Sequence, residues 1–159
     1  MTTIALVATP IVITAGILYA RRQCIAMRKA RTSELIIALC SMWDSPEMAE
    51  SRQKVNAYGP NLKKSYEDAE KTHALEAYTS LIRVANFFDA LGVQVAEGFL
   101  DLCIAYDLFG KTEKTYYALY EHLINAPEYE EYVPYFRKLH ELFVKEEAHR
   151  SQVKRQRAS

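Results

Sequence analysis

The sequence predicts an all-α fold: a single N-terminal transmembrane helix followed by a cytosolic antiparallel helical bundle. Three observations lead there. No charged side chain occurs before Arg21. Beyond Thr32, apolar residues recur at three- and four-residue steps, and no stretch holds strand alternation. The breaks between those runs fall on Pro, Gly, Ser, Thr and Asp, which stop and start helices.

The first twenty residues contain Ile4, Leu6, Val7, Ile11, Val12, Ile13, Ile17 and Leu18. As a helix they would cover roughly 30 Å, the hydrocarbon thickness of a bilayer. Four threonines, Pro10 and Gly16 weaken the case for insertion. A cleaved signal peptide wants basic residues ahead of its apolar run, and Met1-Thr2-Thr3 offers only the terminal amine. Here the cations follow: Arg21, Arg22, Arg28, Lys29 and Arg31, the pattern of a cytoplasmic flank. The expected division is therefore an anchor over 1–20 and a basic juxtamembrane segment over 21–31, touching anionic headgroups. A helical domain over 32–147 and a basic tail over 148–159 follow, both on the cytoplasmic side.

Within the body, Thr32, Ile36, Leu39 and Trp43 continue the first helix as far as Asp44. Ser45 can cap a second helix, with Pro46 at its first position and Glu47 favoured by the dipole. That helix carries Met48, Val55 and Tyr58 and stops at Gly59-Pro60. Residues 61–71 read as a short helix or a linker. Leu75, Tyr78, Ile82, Ala85, Phe88 and Leu91 mark a long central helix, loosened at Gly92 and Gly98. Phe99 to Phe109 is expected to end at Gly110, with Thr112 capping a further helix through Tyr116, Tyr120 and Leu123. Tyr132, Phe136, Leu139 and Phe143 mark the last helix. Short connections make these neighbours antiparallel.

The formal charge of zero is strongly segregated. The chain reads +5 before Glu34, −9 from Glu34 to Glu147 and +4 beyond. An acidic body argues against a nucleic-acid-binding domain, so no nucleic-acid partner is expected. Three scattered cysteines without a CxxC pair exclude a disulfide framework and a cysteine zinc site.

Gly110-Lys111-Thr112 resembles the end of a phosphate loop, but Ala105 stands where that loop requires glycine, and no strand precedes it. Glu70 with His73, and Glu146 with His149, place a carboxylate and an imidazole on one helical face, as a di-metal site would need. These four are the metal candidates, although their charged neighbours argue for solvated faces. His122 and His140 read as structural or surface histidines. Tyr116, Tyr117, Tyr120, Tyr129, Tyr132 and Tyr135 cover more than one helical face, so part of this set is expected at an aromatic interaction surface. No nucleophile with its base is visible, and neither catalysis nor a cofactor is expected. The reading is a membrane-tethered helical protein-interaction module, binding lipid through its anchor and another protein through its body. Homo-oligomerisation remains open. The alternatives are a small helical metalloenzyme and a nucleic-acid or lipid-surface binder acting through the tail.

Asn86-Phe87-Phe88-Asp89-Ala90-Leu91-Gly92, Gly98-Phe99-Leu100-Asp101, Leu108-Phe109-Gly110 and Ser45-Pro46-Glu47-Met48 with Arg52 together resemble a family of small bacterial and phage proteins. That family is known only as a domain of unknown function, and its members often carry an N-terminal membrane segment. Tyr117 departs from it, lying near where the family tends to place tryptophan. The resemblance implies a helical fold from about Glu34 to Phe143. It implies no activity and no catalytic residue.

Overall fold

A computed structural model describes residues 3–71, 75–127 and 132–158; for 3–18, 25, 28, 60, 75–77 and 158 it describes the backbone alone. Among the described residues the chain is helical throughout: α1 (Thr3–Trp43), α2 (Pro46–Tyr58), a 3-10 turn (Gly59–Asn61), α3 (Leu62–Lys71), α4 (Leu75–Ala96), α5 (Leu102–Ile124) and α6 (Pro134–Ala158). The chain divides into two compact units, Met1–Ala38 and Leu39–Ser159.

The transmembrane expectation is overturned. Although α1 is 41 residues long, among the described residues no helix is long and apolar enough to cross a membrane. The cations from Arg21 onward limit its uncharged stretch to eighteen residues, and three threonines, Pro10 and Gly16 dilute that stretch. Polar and small residues contribute little to insertion, so absence of charge is not equivalent to hydrophobicity.

In the second unit α4 is the central element, packing against α2, α3, α5 and α6. Leu81, Val84, Phe88 and Leu91 are fully buried along it. Trp43, at the end of α1, lies 4.7 Å from Phe87, 5.4 Å from Phe88 and 5.7 Å from Tyr116, centroid to centroid. Phe88 in turn stacks on Phe136 of α6 at 4.9 Å. One aromatic cluster thus joins α1, α4, α5 and α6, and Arg52 lies 4.5 Å over the Trp43 ring.

The local signals explain most boundaries. Ser45 accepts from the Met48 N–H and Pro46 opens α2. Gly98 ends α4 with φ of 71°, a left-handed conformation that costs glycine nothing. Asp101 caps α5, accepting from the N–H groups of Cys103 and Ile104 at 2.9 and 3.3 Å. The expected stop at Gly110 and cap at Thr112 are absent, and α5 runs through both. Gly110 is buried in mid-helix, where a Cβ would meet the Tyr106 ring at 2.8 Å. Its lack of a side chain serves packing rather than termination. The contacts of Cys103 with Glu146, Glu113 with His140 and Ile124 with Arg137 run in opposite chain directions, making α5 and α6 antiparallel.

Candidate functional site

Glu113 follows Phe109 by one turn and precedes Tyr116 and Tyr120 on the same helical stripe. The stripe carries its carboxyl into the interior, where Glu113 is 1% exposed. His140 of α6 meets it there, with Nδ1 at 3.1 and 3.4 Å from the two carboxyl oxygens. Tyr117 stacks on the imidazole at 3.6 Å with planes 3° apart. Burial pushes the Glu113 carboxyl up to about 8, against the pull of Lys114. Burial likewise lowers His140, with Lys114 adding to that shift and Glu121 and Glu141 opposing it. The separation would suit an ion pair, but both shifts favour neutral forms. Desolvating two charges outweighs their attraction at this depth. The carboxylic acid therefore donates to Nδ1, which places the ring proton on Nε2.

Around this pair a cleft of about 390 Å³ opens between the helices, walled by Tyr106, Gly110, Phe143 and Val144 and rimmed by Asp107, Lys111, Lys114 and Glu147. Lys114 pairs with Glu147 at 3.1 Å. Arg150 lies 4.8 Å over the Tyr106 ring, binds Glu146 at 2.6 Å and pairs with Asp107. Arg150 also holds Glu146 below the usual carboxylate range, while Glu146 pushes the neighbouring Cys103 thiol up. The arrangement can seat a small molecule and donate or accept one proton at His140.

A second feature lies in the first unit. There α1 is the one element among the described residues, and its uncharged positions Tyr19, Gln23, Ala26, Ala30, Ser33 and Ile37 are all exposed. Their spacing alternates four and three residues, the seam by which helices pair. Arg21, Arg22, Lys29 and Arg31 are exposed too, and at 100° per residue they fall outside this seam.

A family model described as a domain of unknown function (DUF4760) matches residues 9–145. The chain belongs to this family. No curated protein and no solved structure matches it.

In this DUF4760 chain the stretch from Asn86 to Gly92 supplies packing rather than chemistry. Phe87, Phe88 and Leu91 are core residues. Asp89 accepts from the backbone N–H groups of Tyr135 and Phe136, and Gly92 sits where a Cβ would lie 2.3 Å from the Tyr135 carbonyl oxygen.

Three of the four metal candidates are among the described residues. Glu70 is exposed on α3, Glu146 is engaged by Arg150, His149 is exposed on α6, and His73 lies outside the described residues. Among the described residues no group of three or more His, Cys, Asp or Glu could hold a metal ion.

Five of the six candidate tyrosines are among the described residues. Tyr116 and Tyr120 are buried, the latter donating to the Leu81 carbonyl at 2.6 Å. Tyr117 is committed to His140, Tyr135 is half-buried beside Lys138, and Tyr132 is 55% exposed. Tyr129 and the Arg28 side chain lie outside the described residues. The pairing of Glu113 with His140 escaped the sequence reading, which took His140 as a structural or surface histidine; a glutamate on the stripe of Phe109, Tyr116 and Tyr120 was the signal that could have found it.

Proposed function

We propose that this chain is a helical protein-interaction module whose docking element is the exposed stretch of α1. The observation that supports it is the seam from Tyr19 to Ile37, uncharged, exposed and spaced for helix pairing. Helices of this kind draw most of their stability from packing one face, and the first unit holds no second element among its described residues to pack on. The flanking cations select the partner. No acid precedes Glu34, so a second α1 laid along the seam brings like charges together, whereas a partner helix edged by Asp and Glu brings opposite ones. The partner is a protein with an acidic helical surface.

The test is retention of copurifying protein on immobilised chain, comparing wild type with Ala30→Glu and with the seam-edge substitution Arg22→Ala. Ala30→Glu buries a charge in the contact and should abolish retention, while Arg22→Ala should weaken it and reduce its salt dependence. Equal retention by wild type and Ala30→Glu rejects the seam.

A further inference from the structure

We propose that the α5–α6 cleft binds a small carboxylate with an apolar body, seated between His140 and Lys111. The site is distinct from the α1 seam and does not depend on it.

The cations around the cleft are engaged by carboxylates with one exception. Arg150 holds both Asp107 and Glu146, Lys114 holds Glu147, and Glu113 and His140 meet as a neutral pair. Lys111 is exposed at the rim and has no anionic partner among the described residues. The cleft therefore offers one cation that no described carboxylate engages, a place for an anion. His140 supplies a directional contact. Its Nδ1 is taken by Glu113 and its ring is clamped by Tyr117, which leaves the Nε2 side for a ligand. The imidazole is 24% exposed and lines the cleft. An Nε2–H donor and an ammonium group lining one cleft match the two oxygens of a carboxylate. The remaining wall is Tyr106, Phe143 and Val144, the last 48% exposed, with no side chain at Gly110. That surface is apolar and suits a ring or short alkyl chain, in keeping with pockets that use few polar groups to orient a mostly apolar ligand.

The groups that influence His140 are Glu113, Lys114, Tyr117 and Glu121 on α5 and Glu141 on α6, with Glu147 and Asp107 at the rim. A bound carboxylate adds a negative charge at Nε2 and stabilises the imidazolium. The experiment is a nuclear magnetic resonance titration of the histidine side chains in the full chain, with His140 assigned from His140→Gln. Three probes share one ring: benzoate, benzamide and benzylamine. Benzoate at millimolar concentration should move the His140 resonances and raise its titration midpoint by about one unit, a tenfold change in proton affinity. Benzamide and benzylamine should leave the midpoint in place. Lys111→Gln should weaken benzoate binding about fivefold. A folded wild-type chain whose His140 does not respond to benzoate overturns the proposal. So does an equal response to benzylamine or benzamide, or unchanged benzoate affinity in Lys111→Gln.

Discussion

The carboxylate of Asp89, in the middle of α4, caps α6 by accepting from the backbone N–H groups of Tyr135 and Phe136 at 2.8 and 3.0 Å. The first N–H groups of a helix lack intrahelical partners, and here a residue 46 positions away supplies one. Burial raises the Asp89 carboxyl and the two N–H groups oppose that rise. The capping contact fixes where α6 begins and so sets the register that brings His140 opposite Glu113. Asp89→Ala should destabilise the chain by about 1–2 kcal/mol, the worth of a helix cap. Asp89→Asn, which keeps an acceptor, should cost less. Chemical denaturation measures both, and equal losses would deny the capping role.

Gly92 is the second fixture of that contact. Alanine is a better helix former than glycine by about 1 kcal/mol, so an open site would gain from Gly92→Ala. Here the new Cβ would fall 2.3 Å from the Tyr135 carbonyl oxygen, forcing α4 and α6 apart. The expected outcome is a loss on the order of 2 kcal/mol. A stabilised variant would mean that the helices do not approach this closely.

Glu113 makes stability depend on pH. Its folded value of about 8 lies above the ordinary 4.5, so the folded chain keeps a proton that the unfolded chain releases between them. Stability contributed this way falls as pH rises through that window. His140 acts oppositely: its folded value is lowered from 6.5, and its contribution recovers as pH rises towards 6.5. Above 6.5 the Glu113 effect dominates within the pair, so stability should drop by about 1.5 kcal/mol between pH 6.5 and 8. Glu113→Gln should remove that decline. Thermal unfolding at both pH values checks it, and parallel slopes in wild type and variant would refute the neutral pair.

Trp43 anchors the end of α1 in the aromatic cluster. Trp43→Ala should cost about 3–5 kcal/mol, the usual loss for truncating a large buried aromatic. It is the sole tryptophan, so unfolding of the wild type should move its fluorescence from buried to solvated. A Trp43→Ala variant as stable as wild type would separate α1 from the core.

Legibility in the sequence followed the range of the interaction. Ser45-Pro46 marked α2 because a cap is local. Gly110 misled because glycine at a helix end and glycine under a packed ring look alike in one dimension, and only the Tyr106 side chain distinguishes them. The uncharged run before Arg21 misled for a different reason: threonine, proline and glycine carry no charge yet give little to membrane insertion. The Glu113–His140 pair spans 27 positions and two helices. Its one local trace was an acid on an apolar stripe.

The central claim, that the exposed stretch of α1 is a docking seam, is tested most directly by photo-crosslinking from single positions along residues 19–38 in cells that make the full chain. The account predicts crosslinks to a partner protein from Gln23, Ala26 and Ala30, none from Arg21 or Arg28, and loss of the product in Ala30→Glu. Crosslinks of equal yield all around the helix, or none at any position, would contradict it.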